Sequence, residues 1–322
     1  MSQHSPLRVV LNPNARGPRV KPPSLDELKQ QLGPQSLIHV TPNLAELDRL
    51  MHECSNREET LCFFGGDGSI GRGLTSLIHH RGTEKCLPPV MAVPAGTINM
   101  LCNVLGLQGS VDETLSEWKS GELSTIREIP LMKIEVGDLP PRYGFVFVWG
   151  LGFRVLRRYY ARSPHPSVWD GLVAFSQTMW DAVQPRADEK PLFRALDIGL
   201  ALNGGAPTNL PLQSLTVGTI PRLSLGMRPF VPDAVNTGGF HATGHGLKIH
   251  QVVRHLPTIV FGLGDLRKLK CQEKLVVGAG VSRLECRLSE GFTLDGEMFE
   301  LQEPTIVRIT PGPVVRFWAR KA

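Results

Sequence analysis

The run Phe64-Gly65-Gly66-Asp67-Gly68-Ser69 is the part of the sequence best suited to chemistry. It stands where an apolar strand, Leu61 to Phe64, gives way to the helical spacing of Ile70, Leu74, Leu77 and Ile78. Residues without a Cβ let backbone amides approach an anion closely. The helix that begins there adds orphan N–H groups and a partial positive charge, so the turn suits phosphate. An acid inside such a cradle makes sense if a cation shares it, and Asp67 reads as a residue that helps to hold Mg²⁺ beside phosphates, directly or through water. The plainer alternative is an ordinary glycine-rich strand-to-helix turn. Gly66-x-Gly68-x-x-Gly71 also satisfies the dinucleotide fingerprint G-x-G-x-x-G. That fingerprint wants an acid about 20 residues later, and the next strand ends Ala92-Val93-Pro94 without one; the Walker pattern G-x-x-x-x-G-K-[ST] is absent too.

Two companion turns strengthen the phosphate reading. Asn12-Pro13-Asn14-Ala15-Arg16-Gly17 follows the strand Arg8 to Leu11, and Pro94-Ala95-Gly96-Thr97-Ile98-Asn99 follows the strand Val90 to Val93. Thr41, just beyond the strand Ser36 to Val40, either joins them or simply enters the next helix. In open parallel sheets ligands bind outside the carboxyl ends of the strands, where such turns converge.

The elements that must position these turns are legible. Ser24-x-x-Glu27 is a capping box opening a helix with Leu25, Leu28 and Leu32, closed by Gly33. Asn43 with Glu46 opens another carrying Leu44, Leu47 and Met51, and Leu101, Val104 and Leu105 form a further helical face ended by Gly106. Strands alternating with helices predict a parallel sheet. Past residue 125 the pattern changes to strand-length runs: Leu131 to Val136, Tyr143 to Trp149, Phe193 to Leu202, Ser214 to Thr219, Leu247 to Val253, Leu275 to Val277, Arg283 to Leu288 and Thr305 to Ile309. Helical interruptions fall at Val168 to Val183 and Pro257 to Leu269. The expected fold is an α/β N-terminal doubly wound parallel-sheet nucleotide domain, residues 1–125, plus a mainly antiparallel β-sandwich C-terminal domain, residues 126–322, whose last strand is able to return to the first domain.

Composition agrees with a packed protein: 322 residues, 41% hydrophobic and 20% charged, enough apolar material for a sizeable core. The balance of 35 Lys and Arg against 30 Asp and Glu, +5, fits nucleic acid, an anionic membrane or a phosphorylated ligand. No apolar run reaches the roughly 18 residues of a membrane span. The N-terminal MSQHSPLRVVLNP lacks a signal-peptide core and neither end carries a lipidation motif, so the expected location is cytoplasmic or peripheral to a membrane. Six cysteines, at 54, 62, 86, 102, 271 and 286, form no C-x-x-C pair and no zinc spacing, and read as reduced, mostly buried thiols.

Taken together, the turns resemble those of the diacylglycerol kinase catalytic domain family, which includes diacylglycerol, sphingosine, ceramide and bacterial lipid kinases. Asn12 to Gly17 is similar to the family's Asn-Pro-x-x-G turn, Gly65 to Ser69 to its GGDGT, and Pro94 to Asn99 to its P-x-G-T-x-N. Farther on, Gly150-Leu151-Gly152-Phe153 resembles its G-x-G-F segment, and Leu294-Asp295-Gly296-Glu297 its late D-G-E. GGDG alone is shared with NAD kinases, but the Asn-Glu pair those enzymes carry in mid-chain has no counterpart here.

The resemblance implies ATP with Mg²⁺ as phosphoryl donor and a lipid hydroxyl as acceptor, diacylglycerol first and a ceramide or sphingoid base next. By the same resemblance Asn12, Pro13, Asn14, Ala15, Arg16, Thr41, Gly65, Gly66, Asp67, Gly68, Ser69, Gly96, Thr97 and Asn99 bind the nucleotide. Asp295 and Glu297 lie across a cleft, one accepting the hydroxyl proton and the other holding that base or the metal. On the residues alone, Asp295-Gly296 reads first as the turn of a surface hairpin, and only then as a catalytic pair with Glu297. Departures from the family pattern are Ser69 for its Thr, which keeps the hydroxyl, Ile98 where Gly is common, and Met100 where many members have Asp. The GT-x-N-M form resembles a bacterial branch with ceramide kinase-like members. The family's A-x-x-D-G-x-L metal loop is similar to Ala242 to Leu247, where His245 replaces the Asp and offers no oxygen to Mg²⁺.

Arg154 to Arg162 holds four arginines and two tyrosines in nine residues and runs into a helix with Trp169, Phe175 and Trp180. This suits docking on an anionic bilayer, or else a solvated basic helix with its aromatics in the core. The basic end Arg316 to Lys321 has the same two readings. The expected partner is a lipid at a membrane surface rather than nucleic acid, with a homodimer left open. A lipid- or nucleotide-binding protein without turnover, built on the same scaffold, is the alternative from another class.

Overall fold

The computed structural model describes residues 7–14, 24–33, 35–83, 85–96, 99–162, 168–184, 190–223, 226–231, 239–269 and 274–321. The chain divides into two compact units, Met1–Leu131 with Gly312–Ala322, and Met132–Pro311.

In the first unit four parallel strands, β1 (Leu7–Leu11), β2 (Leu37–Val40), β3 (Thr60–Gly65) and β4 (Val90–Pro94), lie in the order β2-β1-β3-β4. β1, β3 and β4 are buried at every position, as expected of parallel strands covered on both faces. The helices are α1 (Leu25–Leu32), α2 (Leu44–Cys54), α3 (Asp67–Arg81), α4 (Met100–Val104) and α5 (Val111–Ser120). α1 has the full Ser24/Glu27 capping box, and Asn43 caps α2 through the Glu46 amide. α5, unread in the sequence, is opened by a second capping box, Ser110 with Glu113.

α3 meets β3 at Gly73, where a Cβ would stand 2.4 Å from Cε1 and 2.8 Å from Cζ of the buried Phe63. The C-terminal segment packs into this unit: Phe317, fully buried, pairs with Val90 of β4, and Trp318 sets its ring edge-on to Trp118 at 5.1 Å. Arg316 donates to the Leu87 carbonyl and Arg320 pairs with Glu117. Of the two readings for this basic end, the structure therefore shows the packing one.

The second unit contains β5 (Thr125–Val136, from Met132 onward), β6 (Arg142–Gly144), β7 (Val146–Gly150), α6 (Leu151–Arg162), α7 (Val168–Val183), β8 (Leu196–Leu202), β9 (Thr208–Leu212), β10 (Ser214–Gly218) and β11 (Phe240–His245). Then come α8 (Ile249–Arg254), α9 (Leu256–Ile259), β12 (Leu275–Val281), β13 (Leu284–Leu288), β14 (Phe292–Leu294), β15 (Glu297–Phe299) and β16 (Thr305–Ala319, to Pro311). One antiparallel sheet has the order β12-β11-β10-β7-β14-β15, and β16, β13, β8 and β9 form antiparallel neighbours in another. Their inner faces share a core that includes Phe147, Trp149, Leu215, Val217, Phe240, Phe292, Leu284 and Val307.

Several expectations fail locally. Leu247 to Val253 is not a strand: it contains α8, whose Ile249 and Val252 are buried in a satellite cluster with Phe193 and Ala182. A short apolar run with spacings of both two and three fits either element, and packing chose the helix. Pro257 to Leu269 is not one helix either, since Gly262 at φ 64° and Gly264 at φ 135° separate α9 from a 3₁₀ turn at Leu266–Lys268. Phe193 lies in a 3₁₀ turn before β8 begins. The segment matched to the family's metal loop is largely strand, β11, and burial lowers the pKa of His245 there to about 4. Cys54, Cys62, Cys102 and Cys286 are buried free thiols and Cys86 an exposed one; Cys271 lies outside the described residues.

Gly73→Ala gains about 1 kcal/mol of helix propensity but overpacks against a ring with nowhere to retreat, at about 1–3 kcal/mol. The expected net effect is a lower urea midpoint. An unchanged or raised midpoint would show that the Phe63 ring yields.

Candidate functional site

The carboxyl ends of β1 to β4 carry the turns singled out from the sequence, and hydrogen bonds tie them to one another. The Asn12 amide donates to the Phe64 carbonyl at 3.1 Å, and its side-chain Nδ2 donates to Ser69 Oγ at 2.9 Å. Asn12 Oδ1 in turn accepts the Asn14 amide, and Asn14 Nδ2 reaches the Pro42 carbonyl, each at 2.9 Å. Pro13 is held between these two asparagines. Thr41 is buried and both its amide and its hydroxyl donate to the Leu11 carbonyl; the cap of α2 is Asn43, so Thr41 joins β1 to β2 rather than opening the helix.

The β3 and β4 turns touch backbone to backbone. A Cβ on Gly96 would fall 2.4 Å from the Cα of Gly66 and 3.1 Å from its amide nitrogen, and a Cβ on Gly65 would fall 2.7 Å from that of Ser69. Only glycine allows this approach. Asn99, in the left-handed region at φ 51°, folds its amide group back so that Oδ1 accepts the Gly96 amide and Nδ2 donates to the Gly96 carbonyl, both at 2.8 Å.

Asp67 joins the two turns. Its Oδ2 accepts the Met100 amide at 2.8 Å and its Oδ1 the Leu101 amide at 2.9 Å. It thus caps α4, whose own N-cap residue Asn99 makes no side-chain cap bond. Asp67 is also the first residue of α3, so one carboxylate serves the positive ends of two helices. It is buried, and burial raises its pKa while the Leu101 and Met100 amides act in the opposite direction. Gly66, N-cap of α3, provides no side-chain cap, and Gly68 follows within the first turn. Ala15, Arg16 and Thr97 lie outside the described residues, as do Gly17 and Ile98.

Described by itself, the second unit holds Asp295 and Glu297 on a tight hairpin. Asp295 at φ 51° and Gly296 at φ 83° are the two turn residues between β14 and β15, the positive-φ pair of the type I′ class. The turn is thus the hairpin that the residues predict, with Asp295 itself turned inward at only 6% exposed. Its Oδ1 accepts the Phe145 amide at 3.0 Å and the Val146 amide at 2.9 Å, and Oδ2 also lies 3.1 Å from the Phe145 nitrogen. Those bonds fall at the break between β6 and β7, where the sequence predicts one strand from Tyr143 to Trp149. Glu297 is half-buried, and Tyr160 donates to the neighbouring Gly296 carbonyl at 3.3 Å. Burial, then the charge of Glu297, pushes the Tyr160 phenol up.

The sequence missed the Gly66–Gly96 contact, the reach of Asp67 to α4 and the Phe145–Val146 clip. Only the first left a sequence signal, glycine in both turns. Among the described residues no group of three His, Cys, Asp or Glu is arranged for a metal.

Asp67→Ala leaves two buried amides without their carboxyl acceptor, an expected loss of about 2–4 kcal/mol in urea unfolding. Asp67→Asn recovers at most about half, since its NH₂ faces a second donor. An alanine variant within about 0.5 kcal/mol of the parent would mean that water replaces the carboxylate fully.

Residues 6–133 match the model of the diacylglycerol kinase catalytic domain. No curated protein matches the chain in sequence. Among solved structures, a diacylglycerol kinase from Bacillus anthracis str. Sterne superposes with a TM-score of 0.64 at 12% identity, covering 99% of this chain and 98% of that one. A second protein of that organism, provisionally named a diacylglycerol kinase, gives 0.67 at 14% identity with the same coverage. At such identities the likeness is one of fold, two-domain and shared over the full length. Residues 6–133 are thus the part of the chain that is similar to the diacylglycerol kinase catalytic domain family.

Proposed function

We propose that this chain transfers the γ-phosphoryl group of ATP to a lipid hydroxyl, diacylglycerol being the first acceptor and a ceramide or sphingoid base the next. The observation that carries the reading is the backbone contact of Gly66 with Gly96, made where the β3 and β4 turns of a diacylglycerol kinase catalytic domain meet. Side chains are excluded there, and the start of the 15-residue helix α3 presents its positive end at the same place. A triphosphate fits that chemistry. Asn12, Pro13, Asn14, Thr41, Gly65 to Ser69, Gly96 and Asn99 would line it; Ala15, Arg16 and Thr97, expected to bind the same nucleotide, lie outside the described residues.

Mg²⁺, when bound with the nucleotide, supplies charge neutralisation for phosphoryl transfer. Asp67 is the carboxylate that would help to hold Mg²⁺, directly or through water, with each of its oxygens already accepting one amide. Proton removal from the acceptor hydroxyl falls to Asp295 or Glu297. Asp295 carries two amides and so fixes the hairpin on which Glu297 rides, which makes its replacement a structural change as well as a chemical one. A second reading, a binding protein without turnover, is favoured by one observation: the carboxylates of both Asp67 and Asp295 are engaged by backbone amides.

The test offers purified protein ATP and Mg²⁺ with diacylglycerol, phosphatidylglycerol, ceramide and sphingosine, following radiolabelled phosphate into lipid. Transfer to one of them is expected, with Glu297→Gln or Asp295→Asn lowering kcat about 10²–10⁴-fold for whichever residue is the base. Nucleotide binding without transfer to any acceptor would support the second reading instead.

A further inference from the structure

α7 is built inside out for a helix facing water. Its inward side is lined by small residues, with Ala174, Thr178 and Ala182 buried. Trp169, Val173, Ser176, Trp180 and Val183 recur at helical spacing on the opposite side, and Trp169 and Trp180 are 75% and 68% exposed. A water-facing surface gains nothing from two tryptophans in line with two valines, whereas an indole is suited to the boundary between headgroups and acyl chains.

The charges around this face are complementary to an anionic surface. Asp181 of α7 is matched by two cations, Arg158 at 2.7 Å and Lys190 at 2.8 Å. On α6, packed beside α7, Arg157 is exposed. Arg154 is not available to a membrane, because it is buried against Glu290 and the carbonyls of Leu192 and Arg194, and Tyr159 is buried as well. With Arg154 engaged by Glu290, the described residues of this region set Arg157, Arg158 and Lys190 against Asp170 and Asp181. A second copy of the chain laid face to face would bring like charges together; anionic headgroups would not.

We propose that the Trp169–Trp180 face of α7, with Arg157 beside it, is the surface by which this chain adsorbs to an anionic lipid bilayer. The inference rests on the lipid-acceptor reading, since no described helix is long and apolar enough to cross a membrane and the acceptor resides in one. Shallow insertion of the two indoles supplies the apolar part of the affinity and the arginines the salt-dependent part.

The test is flotation with phosphatidylglycerol–phosphatidylcholine vesicles, with phosphatidylcholine vesicles alone as the comparison. The parent protein should float with the anionic vesicles and lose them at high salt. Trp169→Ala combined with Trp180→Ala should weaken binding roughly tenfold or more, and Arg157→Glu should reduce the preference for anionic lipid. Brominated lipid gives a readout free of substitutions: of the five tryptophans, Trp118 and Trp149 are buried and Trp318 half-buried, so quenching must come mainly from Trp169 and Trp180. Parent protein that ignores anionic vesicles overturns the proposal. So does a double variant that floats like the parent, or a dimer that the double variant abolishes while neither protein floats. Adsorption is read without turnover, so an inactive protein that floats through these tryptophans loses the kinase reading and keeps this one, and an active kinase that ignores vesicles does the reverse.

Discussion

The bond from Asp67 to the amides of Met100 and Leu101 is the constraint on which the first unit depends. It takes an acid from the turn after β3 and makes it the cap of the helix after β4, so neither turn has a defined position without the other. A charge-assisted pair of hydrogen bonds in a buried setting is worth more than the same pair in water, because its groups have no comparable partner to return to. The glycine contact between the two turns goes with it: where α4 is drawn toward Asp67, Gly96 lies against Gly66, and Gly96 has no room for a Cβ.

The second unit repeats the device. Asp295 turns inward from a hairpin and accepts the amides of Phe145 and Val146, and the chain loses its strand continuity between β6 and β7 at that point. In both units an aspartate beside glycine, in a turn whose geometry glycine permits, has its carboxylate drawn into backbone hydrogen bonding. These acids are therefore architectural whatever chemistry they also perform. The two roles are compatible, since a carboxylate oxygen has a second lone pair.

Legibility in the sequence followed the range of the interactions involved. The parallel strands and their helices could be read because burial on both faces produces apolar runs and because Ser24, Glu27, Asn43 and Glu46 announce helix starts through contacts three residues apart. α8 could not be read, because Leu247, Ile249 and Val252 satisfy strand and helix spacing alike and the choice was made by the cluster around Phe193. Nor could the break between β6 and β7, because the carboxylate that accepts its amides lies 150 residues away at Asp295. α7 was read in its full extent, but which of its faces is buried followed from packing: its small residues are the ones that fit, leaving the tryptophans outside.

The sequence by itself determined the fold class, the strand-and-helix alternation of the first unit and the identity of the turns, because these rest on periodicity, on local capping and on glycine at positions other residues cannot occupy. Only the tertiary structure decided that Asp67 caps α4, that Thr41 joins two strands, that Asp295 is buried in its hairpin and that Arg154 is an internal ion pair. The physical reason is that a carboxylate, a hydroxyl or a guanidinium can bond with many partners, and composition does not say which one the fold brings within 3 Å.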